Sequence, residues 1–452
     1  MRYDLKCLAV PLPEDVLKLK YYGDIDRLNR VIDRKLKKDI PWALKERLRL
    51  EKEIMALWPR AYPHDEESAL RQLRACFGDF SKEELDTLRD DDAVEWAYIN
   101  GEVKYKNNFL NNLIKTRPSY ANRVIDPHRL EPAKAHEALL NEAVAEMKKR
   151  GQMNARFHMR TELSIQPPEE KKRQPVWVHL PIPMEYAQVK NFQIVKLSHD
   201  DAVIAPPDFP HRTVCFHAVP DKPFFVEYTY ETHMRYNDPD PAKVFDQQPT
   251  FYTEEYPPHI VFTPYLRMLC DEIVGVETNP LLKARKIYDF ITTKMIYSFM
   301  RAYMTMPNVP EYGASSMKGD CGVQALLFIT LCRIAGVPAR WQSGITAEPG
   351  DAGAHDWAQF YVAPFGWLFA DPSYGGGAYR HGNEERWNFY FGNLDPYRMP
   401  ANAEYQHDFF IPSKHLRYDP YDNQDGEAEW DDGPVPGRLI DSNHEVLSVE
   451  IF

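Results

Sequence analysis

The stretch "MKGDCGVQALLFITLCRIAGVPARW", residues 317–341, holds two cysteines, Cys321 and Cys332, on one expected helix. From Val323 to Ala335 almost every residue is apolar, the pattern of a helix buried on all sides. Gly336 suits the position just past its end, and Pro338 blocks continuation. The helix therefore starts at Cys321 or Gly322, which separates the cysteines physically. Cys332 lies near the buried end, where packing as a small apolar residue accounts for it. Cys321 lies at the N-terminus, where unpaired N–H groups and the helix dipole favour an anion. That is a recognised route to a lowered thiol pKa and a nucleophilic thiolate. Gly319 and Gly322 leave room for a substrate carbonyl, and the Cys321 N–H can help form an oxyanion hole.

A thiol nucleophile needs a base, and the base needs orientation. Downstream, "HDWAQFYVAPFGWLFADPSYG" (355–375) reads as a hairpin. His355 opens one strand, Ala363 to Gly366 turn the chain, and Asp371 ends the second strand. A two-residue loop would put Asp371 on the opposite face from His355. A three- or five-residue loop places it across from Trp357, diagonal to His355 and within roughly 7–8 Å. We expect the odd loop. Cys321 then serves as nucleophile, His355 as general base and Asp371 as the group that fixes the imidazole, for acyl transfer through a thioester resolved by water or by an amine. The chemistry requires no metal and no organic cofactor. Trp341 and Trp357 are candidates for walls of an acyl tunnel or for indole donors, with core packing as the plainer alternative.

At these residues the chain resembles the transglutaminase-like superfamily. "GDCGVQALLFITLCRIAGVPARWQSG" is similar to its cysteine motif, the hairpin to its histidine and aspartate motifs, and "YFGNLDPYRM" (390–399) to its downstream segment. The resemblance covers roughly 255–400. It implies a papain-like α+β core, with the cysteine helix packed on an antiparallel sheet, and Cys321, His355 and Asp371 as a triad. The superfamily includes protein cross-linking enzymes, peptidases, amidases, peptide N-glycanases and inactive relatives. Asp356 and Gln359, beside the histidine, depart from the smaller or more apolar residues common there.

The rest of the chain points to a multidomain protein. An α-helical N-terminal region (1–162) is signalled by three- and four-residue apolar spacing and by a capping box at Ser81 and Glu84. A small all-β, sandwich-like domain (163–250) follows a Pro-rich charged link. Next come the transglutaminase-like core (251–418) and an acidic tail with a terminal strand (419–452), of which the stretch 419–437 reads as a solvated loop. Near-motifs fail on single residues. His136-Glu137 lacks the second histidine of a zinc site, since position 140 is Leu, and Tyr421 stands where a calcium loop needs an acid. Gly375–Gly377 lack the residues of a phosphate loop.

The chain has 452 residues, 44% hydrophobic and 27% charged, with a net charge of −12. That balance disfavours nucleic acid as partner, and the basic run Arg27–Arg60 reads as a solvated helix face. Without an apolar leader or a long apolar span, and with six scattered cysteines, we expect a cytoplasmic protein that does not engage membranes. The expected partner is a protein or peptide substrate, with the N-terminal helices as a lid or partner-binding element. Amide hydrolysis leads, transamidation is the alternative on the same residues, and a non-catalytic scaffold is the alternative of another class.

Overall fold

The computed structural model describes residues 5–452. The cysteine helix runs Cys321–Ile334, and every residue from Gly322 to Arg333 is buried. Gly336 stops it at φ +77°, in the left-handed region that glycine enters freely. The helix lies against a five-stranded antiparallel sheet with the order Phe391–Gly392, Gly366–Ala370, Asp351–Val362, Ala339–Glu348, Arg398–Asn402. Phe328 meets Phe360 edge-on at 5.8 Å across this contact. The hairpin closes on a three-residue loop, with Val362 opposite Gly366 and Ala358 opposite Ala370. This is the odd register expected from the sequence.

A β-sandwich packs beside this core. One sheet orders Ile440–Ile451, Gln152–Ile165, Phe224–Arg235 and Val189–Leu197. The other orders Gly433–Pro434, Glu427–Trp430, Val176–Pro181, Thr213–Ala218 and Val203–Ile204. In Gln152–Ile165 burial alternates, with Met153, Ala155, Phe157, Met159, Thr161 and Leu163 turned inward, as one face of a pleated strand requires. The sandwich thus draws on residues either side of the expected limits at 163 and 419. The terminal strand is present, pairing along Gln152–Ile165. The acidic stretch before it is not a solvated loop: Tyr421, Asp422, Asn423 and Glu427 are buried. Its acids go inside because each has a donor. Arg417 grips Glu427 Oε1 through Nε at 3.1 Å and Nη2 at 2.8 Å, and Ser343 Oγ donates to Asp422 at 2.6 Å.

The N-terminal region is helical as expected, and Ser81 caps its helix by accepting the Glu84 N–H at 3.1 Å. A small hairpin, Trp96–Ile99 with Glu102–Tyr105, interrupts it. Nor is the basic run Arg27–Arg60 wholly a solvated face. Arg47 is buried, and the buried carboxylate of Glu51 takes both Arg47 at 2.6 Å and Lys20 at 2.9 Å.

The helices dock on the core at two places. On one side Lys318, three residues before the cysteine, donates to Asp92 at 2.7 Å and Glu95 at 2.9 Å, and Arg301 joins Glu95 at 3.1 Å. On the other, helix Glu131–Arg150 brings His136 Nδ1 to Glu348 at 2.8 Å and Glu137 to Arg386 at 2.7 Å. Among the described residues no helix is long and apolar enough to cross a membrane.

Candidate active site

Cys321 opens its helix because Asp320 caps it, accepting the Val323 N–H at 3.2 Å. Tyr303 fixes the same carboxylate through its hydroxyl at 2.6 Å. Gly322 is required by close approach: a Cβ there would lie 2.0 Å from Tyr303 Oη and 2.7 Å from Asp356 Oδ2. The thiol is half-buried, and Sγ hydrogen-bonds Asp356 Oδ2 at 3.3 Å. Asp356 is held in turn by Gln424 of the C-terminal segment, whose Nε2 lies 2.8 Å from Oδ1 and 2.9 Å from the His355 carbonyl.

These neighbours reverse the expected electrostatics. Burial first, then the carboxylates of Asp356 and Asp320, push the Cys321 thiol well above its ordinary pKa, against a smaller pull from the Asp356 backbone N–H. This direction is opposite to the lowered pKa expected from a place at the helix N-terminus. Burial also raises the Asp356 carboxyl, with Asp320 adding to it, and Asp422 is raised by burial, Asp419 and Asp356. Charged carboxylates packed this closely disfavour one another.

His355 and Asp371 meet as the hairpin register allows, Nε2 to Oδ2 at 2.8 Å. The carboxylate can only accept, so Nε2 carries the proton and Nδ1 keeps the lone pair. Asp371 also caps the helix Pro372–Arg380, through Oδ1 and the Tyr374 N–H at 2.9 Å. Arg398 Nη1 sits 3.0 Å from Asp371 Oδ2, while its Nη2 holds Asp395 at 2.7 Å. Despite complete burial, His355 and Arg398 hold the Asp371 carboxyl below the usual carboxylate range. Burial pulls the His355 pKa down against Asp371, leaving a neutral imidazole, the form that can take a proton. Tyr374 covers the ring at 4.6 Å, and His136 of the N-terminal region meets Tyr374 edge-on at 5.5 Å.

The predicted residues therefore come together in two parts: Cys321 with Asp356, and His355 with Asp371. Among the described residues no hydrogen bond joins Cys321 to His355. The two tryptophans are core aromatics. Trp357 is fully buried, stacks on His355 at 6.0 Å and commits its indole N–H to Gln342 at 2.7 Å. Trp341 is 2% exposed and packs on Tyr405. Neither offers a donor to substrate, because strand alternation and the neighbouring segments enclose them.

Sequence reasoning missed Arg398, although it stands in the 390–399 segment already singled out, and it missed Gln424 and Tyr303, which hold Asp356 and Asp320 beside the thiol. Among the described residues no group of three or more His, Cys, Asp or Glu is placed to hold a metal ion.

Part of the chain is similar to known proteins. Residues 267–372 match the sequence model of the transglutaminase-like superfamily, a span that contains Cys321, His355 and Asp371. An uncharacterized protein of Haemophilus influenzae is 31% identical over 137 residues, 25% of this chain and 37% of that protein. The chain thus matches little more than a third of that relative's length. A candidate cysteine protease from Cytophaga hutchinsonii aligns with 67% of this chain and 90% of its own, at 13% identity and a TM-score of 0.38. The periplasmic domain of TgpA from Pseudomonas aeruginosa aligns over 54% and 96%, at 15% identity and a TM-score of 0.29. Residues 267–372 are thus the part of the chain that is similar to the transglutaminase-like superfamily.

Proposed function

We propose that the protein is a cysteine acyl-transfer enzyme that hydrolyses a peptide or side-chain amide, with Cys321 as nucleophile, His355 as general base and Asp371 as the group orienting it. The observation that carries this reading is the chain His355–Asp371–Arg398, at 2.8 and 3.0 Å, on a sheet against which a helix with a cysteine at its N-terminus is packed. An arginine-braced carboxylate fixes the imidazole tautomer and stabilises the imidazolium once the proton arrives.

In this mechanism the resting thiol leaves Asp356 as substrate enters, and Nδ1 of His355 takes its proton. The sulfur attacks the carbonyl, and first-turn N–H groups of the cysteine helix receive the oxyanion. His355 returns the proton to the leaving amine, and water, activated by the same imidazole, resolves the thioester. An amine in place of water gives transamidation by the same residues. The alternative of another class is a scaffold in which the Asp356 bond keeps the thiol idle.

Incubation with a glutamine-containing peptide and a primary amine separates these readings. Ammonia release without amine incorporation supports hydrolysis, robust incorporation supports transamidation, and neither product supports the scaffold. The substrate in this reading is a protein or peptide and the location cytoplasmic. Cys76, Cys215, Cys270, Cys321 and Cys332 form no disulfide among the described residues, which suits a reducing compartment.

A further inference from the structure

The helix Glu131–Arg150 lays His136 against Tyr374, the residue whose ring covers His355. The ring centres of His136 and Tyr374 stand 5.5 Å apart, and those of Tyr374 and His355 stand 4.6 Å apart. Arg398 lies 3.9 Å from the centre of the same Tyr374 ring, and Tyr390 meets it at 5.5 Å. Tyr374 also serves the other half of the pair, since its N–H donates to Asp371 Oδ1 at 2.9 Å. One residue thus holds the imidazole with its ring and the carboxylate with its backbone. Of the groups packed on that ring, His136 is the one supplied by the N-terminal region.

His136 is itself anchored. Its Nδ1 lies 2.8 Å from Glu348 Oε2. Glu348 is buried at the end of strand Ala339–Glu348, opposite Asp351, the first residue of the strand that carries His355. The helix behind His136 is tied to the segment that follows Pro372–Arg380. Arg386 Nη2 donates to Glu137 at 2.7 Å, Asn383 Nδ2 to Asn141 Oδ1 at 2.8 Å, and Lys148 Nζ to Glu385 at 2.7 Å. His136 therefore braces Tyr374 from a point fixed on both the hairpin that bears His355 and the helical segment that Asp371 begins.

The outer torsion of a histidine side chain is broad and roughly two-fold. A half turn of the His355 ring would present a carbon to Asp371 and lose the Nε2 bond. A closely packed aromatic neighbour resists that turn. Tyr374 is only partly buried, so it resists only while something keeps it from swinging outward.

We propose that His136 is a positioning residue of the acyl-transfer site, holding Tyr374 on His355 and so keeping the imidazole on Asp371. The N-terminal region then completes the histidine–aspartate pair instead of merely covering the groove. This rests on the reading of His355 as the general base, but its main readout does not require turnover.

The test follows the His355 tautomer by nitrogen NMR in the full chain labelled with [15N]histidine, its signals identified by their loss in His355→Gln. The wild type should show His355 protonated at Nε2 alone. His136→Ala and Tyr374→Ala should both bring the two His355 nitrogen signals toward each other as the tautomers and ring orientations mix. Tyr374→Phe, which keeps the ring, should preserve the wild-type pattern. Lys148→Met should preserve it too, since it breaks a docking contact of the same helix away from the rings. The His136 side chain is 35% exposed, so its alanine variant should fold, and an unchanged signal from His179, buried in the β-sandwich, checks this. With a glutamine peptide, kcat for ammonia release should fall about tenfold in His136→Ala with KM unchanged. A His355 pattern unchanged in both alanine variants overturns the positioning role, even where kcat falls, and leaves the histidine–aspartate pair standing. A wild type whose His355 is not held in the Nε2-protonated form overturns the pair and the positioning role together.

Discussion

Cys321 Sγ lies 3.3 Å from Asp356 Oδ2, although the predicted base, His355, is the adjacent residue on the same strand. The carboxylate takes the thiol at rest. A negative charge beside a thiol raises its pKa, and the Asp356 carboxylate adds in this way to the larger effect of burial on Cys321. Asp356→Asn removes that charge and should lower the thiol pKa by about one unit, speeding iodoacetamide labelling of Cys321 near neutral pH about tenfold. A slower rate would instead make Asp356 the base.

Catalysis itself should depend on the other pair. Cys321→Ser and His355→Ala are expected to reduce amide hydrolysis by at least about a thousandfold, and Asp371→Asn by roughly a hundred- to ten-thousandfold through the wrong imidazole tautomer. Ammonia release from glutamine peptides provides the measurement. Wild-type turnover surviving in His355→Ala would remove the histidine from the mechanism.

The docking of the N-terminal helices should be sensitive to acid. Glu95 is buried, yet the cations of Lys318 and Arg301 hold its carboxyl below the usual range. A depressed folded-state pKa contributes stability that is complete above the unfolded value and is lost as pH falls through the folded one. Acidification below the ordinary glutamate range should therefore loosen the 92–95 contact with Lys318, seen as earlier proteolysis between the N-terminal region and the core. Glu95→Gln should do the same at neutral pH by leaving two cations uncompensated, at a cost of about 3–5 kcal/mol in denaturant unfolding.

Gly322→Ala tests the closeness of the thiol's surroundings. The added methyl meets Tyr303 Oη at 2.0 Å and Asp356 Oδ2 at 2.7 Å, so one of them must move. The expected loss is about 1–3 kcal/mol of stability, with a changed labelling rate at Cys321. A fully neutral substitution would show that Tyr303 is free to swing away.

What could be read from the sequence was local. Apolar continuity with Gly336 and Pro338 defined the cysteine helix, and loop parity set the hairpin register that joins His355 to Asp371. The direction of the thiol pKa was not legible, because it depends on burial and on Asp356, which Gln424 holds from the far end of the chain. Arg398 carried no signal of its own until the sheet brought it to Asp371. The acidic stretch 419–437 misled for the same reason: Glu427 and Asp422 look solvated until Arg417 and Ser343 are seen to receive them.

The strand Ile440–Ile451 pairs along Gln152–Ile165, which joins two segments made far apart in time on the ribosome. Until residues 440–451 are made that edge of Gln152–Ile165 stands open, and Gln424, which restrains Asp356, is made after both Cys321 and Asp356. Contacts so distant in sequence form late. Closure of the sandwich and restraint of Asp356 therefore both wait on residues made after the cysteine helix, and a nascent chain released before residue 424 would carry Cys321 without the Gln424 clasp on Asp356.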